Sequence, residues 1–203
     1  MAEQAAAHRM VIQVVATTAV ALFVIFGIRL SFSVFFAEFL QVEGWSSAQG
    51  SSIFSVSMIV FALTAPPTGY LLDRFGPATV FSSGALILGL GLFLSSYAQS
   101  IQHIILTYGV IAGAGLGIIG LGPMAGNISS WVQPEQRGRA IGAAFAGTGF
   151  GSLVFVPMSE RLIFAFGWRT TFAIYAAVCV FFLAPVLFFL LKKSPHTAVG
   201  HIK

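Results

Sequence analysis

Long apolar stretches recur along nearly the whole chain, and they constrain its fold more than any other feature of the sequence. A helix that crosses a membrane needs about 20 apolar residues, and several stretches here are at least that long. Only 8% of the residues are charged, whereas a soluble domain carries about 25%. Transmembrane barrels alternate apolar and polar residues, a pattern that this sequence lacks. The sequence therefore predicts an all-α integral membrane protein.

Charged residues and turn formers divide the 203-residue chain into six apolar segments. The predicted six-helix bundle covers residues 11–191, between an N-terminal tail (residues 1–10) and a C-terminal tail (residues 192–203). The predicted spans are residues 11–40, 48–72, 78–98, 103–132, 139–165 and 169–191. Within the fourth span, Gly122 and Pro123 predict a kink.

The basic residues are distributed unevenly between the two sides of the predicted bundle. If the amino terminus is cytoplasmic, the outer loops hold only Arg161 and Arg169. The cytoplasmic segments hold Arg9, Arg74, Arg137, Arg139, Lys192, Lys193 and Lys203. Loops rich in lysine and arginine remain on the cytoplasmic side of a membrane. The pattern predicts a protein of the plasma (inner) membrane with both termini in the cytoplasm.

The chain also resembles itself weakly when it is shifted by 91 residues. The shift aligns Pro66, Leu71, Phe75, Gly76, Thr79 and Phe81 with Pro157, Leu162, Phe166, Gly167, Thr170 and Phe172. The two stretches follow the second and fifth spans, which leave the membrane on opposite faces. They predict an inverted repeat of three helices plus three, typical of secondary transporters. The alternative is that two ends of apolar segments share Pro, Phe and Gly through composition alone.

A charged loop follows the second predicted span, where residues 69–77 read Gly-Tyr-Leu-Leu-Asp-Arg-Phe-Gly-Pro. The two glycines allow a tight turn, and the adjacent carboxylate and guanidinium can reach a neighbouring helix terminus or an opposite charge. This stretch resembles the loop motif G-x-L-x-D-R-x-G of the major facilitator superfamily, matched at Gly69, Leu71, Asp73, Arg74 and Gly76. The family usually continues with one or two basic residues, where this chain has Pro77, Ala78 and Thr79.

Other segments carry the same resemblance. Residues 131–151, which contain Arg137 and Arg139, are similar to the loop between the fourth and fifth helices of the superfamily. The Gly-Trp-Arg sequence of residues 167–169 resembles the turn that enters its sixth helix. Residues 27–35 and 44–46 are similar to the branch that contains monocarboxylate porters and oxalate/formate exchangers.

The resemblance implies a function in transport. Complete members of the superfamily have twelve spans, with the substrate site between two six-helix bundles, so this chain would be the N-terminal bundle of a secondary transporter for a small organic anion. A cytoplasmic latch would contain Gly69, Asp73, Arg74, Gly76, Arg137 and Arg139. The expected partners are membrane lipid, the anion, and a second six-helix half or a second copy of the chain. The competing interpretation is a truncated or accessory membrane protein without transport activity of its own.

Arg29 is the only charged residue deep inside a predicted span. Burying a guanidinium in lipid costs several kcal/mol, so Arg29 should face a cavity or a partner. Thr18 lies about 20° away on a helical wheel, and Ser33 follows one turn later, so the first helix carries a thin polar stripe. These three residues are the candidate substrate-binding residues, because a guanidinium binds a carboxylate through two parallel hydrogen bonds. The alternative is that Arg29 extends outward or binds a backbone carbonyl for structural reasons only.

Glycines recur in the fourth and fifth spans at spacings that bring small residues to one helix face. Such faces let helices approach closely in a membrane. The predicted packing residues are Gly109, Gly113, Gly117, Gly142, Gly147 and Gly151.

Other function classes find little support in the sequence. No metalloprotease or nucleotide-binding motif is present, and no enzyme activity, metal site or cofactor is expected. The net charge of +4 includes no run of lysine and arginine that could neutralise a series of phosphates, so nucleic acid is not an expected partner.

Overall fold

The computed structural model describes the backbone of residues 2–192 and the side chains of residues 9–192. The C-terminal tail predicted for residues 192–203, which includes Lys193 and Lys203, lies outside the described residues apart from Lys192. All regular secondary structure within the described residues is helical. The prediction of an all-α protein is therefore confirmed.

Eight α-helices form the described part of the chain. They are α1 (Ala2–Leu30), α2 (Phe32–Gln41), α3 (Ser47–Ser96), α4 (Ile101–Ile104), α5 (Gly113–Ile118), α6 (Leu121–Ser129), α7 (Arg137–Ala177) and α8 (Ala184–Leu191). The π-helical segments Ile105–Ala112 and Val178–Leu183 join α4 to α5 and α7 to α8, and a 3₁₀ turn, Pro134–Gln136, precedes α7. Helix α1 begins inside the predicted N-terminal tail, because alanine, glutamate and glutamine there favour helix.

Four helical stretches are long and apolar enough to cross a membrane: Arg9–Gln41, Ser47–Ser96, Ile101–Ser129 and Pro134–Leu191. The part of the chain that the structure describes thus has four long apolar stretches where the sequence predicted six separate spans. The second and fourth stretches are about twice as long as one crossing requires, at 50 and 58 residues. Each contains a single residue at which the backbone leaves the helical conformation, after which the helix resumes directly.

These two breaks lie at Gly76 in α3 and Gly167 in α7. Their dihedral angles are nearly the same, with φ 77° and ψ 159° at Gly76 and φ 77° and ψ 161° at Gly167. Only glycine adopts this region without strain, because it has no Cβ. Pro77 follows the first break at the start of the next helical segment, where its missing N–H leaves no hydrogen bond unmade. The two helix breaks are separated by the same 91 residues that relate the two halves of the sequence.

The centre of the bundle is aromatic. Phe35 of α2 stacks on Phe172 in the second part of α7, with ring centroids 4.2 Å apart. Phe39, one turn further along α2, packs edge to face against Trp168 at 5.2 Å. All four side chains are buried, and aromatic pairs of this kind add about 0.5–1.5 kcal/mol to the gain from burial. They fix α2 against the segment that follows the break at Gly167.

Five of the six predicted packing glycines lie against a neighbouring helix. A Cβ at Gly113 would lie 3.2 Å from the Cα of Ser57, and one at Gly117 would lie 2.7 Å from the carbonyl oxygen of Phe61. The others meet Val56, Ala19 and Phe23 at Gly109, Gly147 and Gly151 respectively. Gly142 is the exception: it was predicted to pack against a neighbouring helix, and in the structure it does not. A Cβ there would meet no atom within 4 Å, because this turn of α7 is exposed.

A methyl group at Gly147 is expected to destabilise the bundle, because it would collide with the backbone carbonyl of Ala19 in α1. Backbone cannot rotate away as a side chain can, so Gly147→Ala should cost about 1–3 kcal/mol. The measurement is the thermal unfolding midpoint of the purified chain in detergent. Gly142→Ala is the matched control and should leave the midpoint unchanged or raise it slightly, since alanine favours helix. Equal midpoints for the two variants would contradict this packing.

The fourth predicted span is interrupted three residues before the predicted position. Helix α5 ends at Ile118 and α6 begins at Leu121, so the break lies at Ile119 and Gly120. Pro123 lies in the first turn of α6, where a backbone N–H has no partner within the helix. The proline therefore marks the start of a new helix.

Candidate functional site

Arg29 lies in the last turn of α1, just before the chain bends at Ser31 into α2. The Ser31 hydroxyl donates to the carbonyl oxygen of Gly27, 2.8 Å away, and stabilises the end of the helix. The guanidinium of Arg29 donates through Nη2 to the thioether sulfur of Met58, 2.8 Å away on α3. Its carbon Cζ lies 4.3 Å from the ring centroid of Phe61 and 5.4 Å from that of Phe26. A cation inside a predicted span thus has soft, uncharged neighbours.

The guanidinium borders a groove between the α1–α2 bend and the first turns of α3, which we call the Arg29 groove. Its volume is about 360 Å³, and its lining includes Arg29, Phe32, Ser33, Ser51, Phe54 and Ser55. Ser51 and Ser55 lie one helical turn apart on α3, and the Ser33 hydroxyl donates to the carbonyl oxygen of Leu30 at 3.1 Å. The groove therefore combines one positive charge, several hydroxyls and phenyl rings. Pockets of about 300–1,000 Å³ with a few polar groups hold small molecules.

Two of the three residues predicted for substrate binding lie in this groove. Arg29 and Ser33 line it together. Thr18 does not line it: the Thr18 side chain is fully buried, and its hydroxyl oxygen has no hydrogen-bond partner within the described residues. Thr18 and Arg29 point in nearly the same direction on the helical wheel. They are eleven positions apart in the chain, however, which separates them by about 16 Å along the helix axis.

The charged segment predicted as a loop, residues 69–77, lies in the middle of α3, around its break at Gly76. Gly69, Asp73 and Pro77 line a pocket of about 220 Å³ together with Asn127 and other residues of α6 and its C-terminal end. Asn127 is buried, and its side-chain nitrogen makes no hydrogen bond among the described residues. Asp73 is exposed. An exposed carboxylate and a buried amide without a partner thus line one pocket.

The arginines of the predicted latch are not paired with Asp73 in this structure. Arg74 lies over the ring of Phe75, with its Cζ 5.3 Å from the centroid, and Arg137 donates to the carbonyl oxygen of Val132 at 3.3 Å. Arg139 is exposed near the start of α7. Within residues 9–192, the one salt bridge joins Arg169 to Glu43.

That salt bridge belongs to a cluster on the predicted outer side, which we call the outer clasp. The Glu43 carboxylate accepts from Arg169 at 2.9 Å and from the Trp168 indole at 3.1 Å. Arg169 also donates to the carbonyl oxygen of Ala98, 3.1 Å away, and lies over the Trp168 ring at 4.1 Å. The outer clasp thereby joins the α2–α3 and α3–α4 connections to α7, just after its break at Gly167. The sequence analysis missed this cluster, although Glu43 and Arg169 carry opposite charges in outer loops.

Another polar contact lies inside the bundle. Ser159 and Tyr175, both buried, share a hydrogen bond between their hydroxyls. The Ser159 hydroxyl also bonds to the carbonyl oxygen of Phe155, so Ser159 donates there and accepts from Tyr175. The hydroxyls satisfy one another, which lets two polar side chains remain in an apolar core. The sequence analysis missed this pair as well.

Long apolar helices, a cation that borders an open groove and a charged segment at a helix break are features expected of a membrane transporter. The chain belongs to the Major Facilitator Superfamily, whose family model matches residues 18–202. The resemblance seen in the sequence is therefore confirmed.

Curated relatives agree with this family. The chain is similar to monocarboxylate transporter 13 of Rattus norvegicus, with 30% identity over 177 residues, which are 87% of this chain and 41% of that protein. Monocarboxylate transporter 11 of Mus musculus is 32% identical over 133 residues, which are 65% of this chain and 29% of that protein. The MFS-type transporter opdF of Penicillium oxalicum is 30% identical over 179 residues, which are 86% of this chain and 40% of that protein.

The chain therefore spans between 29% and 41% of the length of these three relatives. Their names describe transporters, which supports the prediction that this protein is not an enzyme. The apolar helical stretches and the family together establish an integral membrane protein.

Proposed function

We propose that the chain is the N-terminal bundle of a secondary transporter that moves small monocarboxylate-like anions by alternating access. The observation that carries the proposal is the Arg29 guanidinium, which borders an open groove and meets a thioether and phenyl rings in place of a carboxylate. A desolvated cation without a counter-charge attracts an anion strongly. The names of the relatives point to monocarboxylates as the substrate class.

In this proposal the bundle has six spans, arranged as an inverted repeat of three helices plus three. The breaks at Gly76 and Gly167 divide the second and fourth helical stretches close to the predicted boundaries of the spans. Their matched dihedral angles, 91 residues apart, support a common ancestor for the two halves. The excess of basic residues on one side supports cytoplasmic termini in a plasma (inner) membrane. A reporter fused after Lys203 should therefore be cytoplasmic, and an external reporter there would contradict this topology.

A substrate carboxylate would accept two parallel hydrogen bonds from the Arg29 N–H groups that do not face Met58, and the apolar body of the anion would lie against Phe32 and Phe54. Ser51 and Ser55 offer hydroxyls for a neutral polar group of the substrate. The groove is open on one side, and a second six-helix half would complete its wall. That half, or a second copy of the chain, is the proposed protein partner, and membrane lipid surrounds both.

Uptake of a radiolabelled monocarboxylate into liposomes tests the proposal. The chain is reconstituted together with a second six-helix half, and saturable uptake is the expected result. The alternative function is a truncated or accessory membrane protein with no transport activity of its own. It is favoured if the assembled pair forms but carries no anion.

The charged loop at Asp73 and Arg74 is proposed to act as a conformational latch, together with Gly69, Gly76, Arg137 and Arg139. The repeat supplies an internal comparison, because the positions equivalent to Asp73 and Arg74 near the second break are Phe164 and Ala165. Both breaks have the same backbone geometry, so a helix break needs the glycine but not the charges. The charges therefore serve something other than the fold of the loop. The buried Asn127 amide in the same pocket is a donor within the reach of a rearranged Asp73.

Asp73→Asn is expected to lower transport several-fold while changing the unfolding midpoint little, because the carboxylate is exposed and makes no ion pair here. The loss reflects a shift in the balance between transport conformations, since a coupling of 1–3 kcal/mol changes a population by about 5-fold to 150-fold. Initial uptake rates at equal abundance measure it. Glu135→Gln, which neutralises another exposed carboxylate on the same predicted side, is the control. Unchanged rates in Asp73→Asn would leave the loop as an ordinary charged turn.

A further inference from the structure

Phe61 lies between the Arg29 guanidinium and the break at Ile119 and Gly120 in the third helical stretch. On one side, its ring centroid is 4.3 Å from the Cζ of Arg29. On the other, a Cβ at Gly120 would lie 3.1 Å from both Cε2 and Cζ of the ring. Because Gly120 has no side chain, the ring occupies the space beside the break. The Phe61 ring therefore contacts the third helical stretch at Gly120 and the first helical stretch at Arg29.

The contact on Arg29 leaves the guanidinium little freedom. The Cζ of Arg29 lies over the Phe61 ring, and Met58 accepts a hydrogen bond from Nη2 at 2.8 Å. A guanidinium on a flexible side chain otherwise samples many rotamers, and ordering such a side chain costs about 1.5–2 kcal/mol. The cation–π contact with Phe61 lowers this entropic cost before an anion binds. The Arg29 N–H groups that do not face Met58 remain available to a ligand in the groove.

We propose that Phe61 is a positioning residue for anion binding: its ring holds the Arg29 guanidinium in the orientation that presents its free N–H groups to the Arg29 groove. This inference rests on the proposed function of Arg29. It adds a residue that does not line the groove and that no sequence motif marked. The interaction is a cation–π contact, so an aromatic ring of another kind at position 61 preserves it and an aliphatic side chain does not.

The test uses the full chain in lipid nanodiscs and the arginine reagent phenylglyoxal, with labelling of each arginine followed by mass spectrometry of peptides. In Phe61→Leu, the labelling rate of Arg29 should rise about threefold to tenfold, because the ring no longer covers the guanidinium. Phe61→Tyr and Phe61→Trp should retain the slow rate. Phe93→Leu is the matched control, since Phe93 lies near the end of α3 and contacts Tyr97, and should leave the rate at Arg29 unchanged. The rate at Arg74 is the internal standard.

Benzoate supplies the second measurement, as a singly charged carboxylate with an apolar body. It should protect Arg29 from labelling, and the concentration for half protection should rise about fivefold in Phe61→Leu but not in Phe61→Trp. Gly120→Ala, which adds a methyl group against the Phe61 ring, should also raise the benzoate concentration for half protection. An unchanged labelling rate and unchanged protection in Phe61→Leu would overturn the positioning role, even if benzoate protects the wild type. Absence of protection in the wild type would contradict the anion site, while the labelling rates would still decide whether Phe61 holds Arg29.

Discussion

Replacing Arg29 with alanine is expected to lower monocarboxylate uptake at least about 100-fold in the complete transporter. Each hydrogen bond to a charged group contributes about 1.5–3 kcal/mol, and two of them would be lost together. Abundance in the membrane should remain near that of the wild type. Because Arg29 contacts a thioether and rings, its removal leaves no carboxylate buried without a partner.

The comparison with lysine separates geometry from charge. Arg29→Lys keeps the positive charge but loses the planar fork, so it should recover only a small part of the uptake. Arg161→Ala is the control, because it removes an exposed arginine that does not line the Arg29 groove. Uptake and abundance are measured on the same vesicles. Wild-type uptake in Arg29→Ala would remove Arg29 from the substrate site and leave it a structural role.

The positions of the two helix breaks could be predicted from the sequence because they depend on the backbone conformations open to glycine. Gly76 and Gly167 were recognised through their repeated context, and both adopt a conformation that only glycine tolerates well. Whether a loop or a single residue joins two helices was not readable, since this depends on how the two segments pack. The sequence therefore predicted six separate spans where helix continues directly through each break.

The candidate site was predictable only where its residues are close in the chain. Arg29 and Ser33 are one turn apart and line the same groove, whereas Thr18, eleven positions before Arg29 in the chain, lies elsewhere. Contacts between residues far apart in the chain could not be predicted, because no local sequence pattern marks the two residues as partners. Met58 and Phe61 look like ordinary apolar residues of a span, and Glu43 meets Arg169 from 126 residues away.

The outer clasp and the charged loop place different constraints on the two ends of the bundle. At the predicted outer end, Arg169 bonds to Glu43 and to Ala98, so it links the α2–α3 and α3–α4 connections to α7. Asp73, just before the break at Gly76 in α3, makes no ion pair within the described residues. In the proposed transporter, the unpaired Asp73 would be available to exchange contacts with a second half on the predicted cytoplasmic side, whereas Glu43 and Arg169 are already paired with each other.

This chain alone is expected to carry no anion across a membrane. The Arg29 groove is open on one side, so a single bundle provides one wall of a pathway that alternating access builds from two. Lipid would then face Arg29, at a cost of about 2.5–3.5 kcal/mol or more for a guanidinium near the bilayer centre. The same cost favours association with a partner that covers the groove.

Reconstitution of the purified chain in liposomes, with and without a second six-helix half, measures this directly. Uptake by the chain alone should equal that of liposomes without protein, and the second half should restore saturable uptake that Arg29→Ala abolishes. A self-paired chain would place two Arg29 residues in one cavity, where they repel unless an anion lies between them. Chemical crosslinking reports whether such a pair forms. Saturable uptake by the chain alone, with a crosslinked dimer, would overturn the half-transporter proposal and identify a carrier built from two copies.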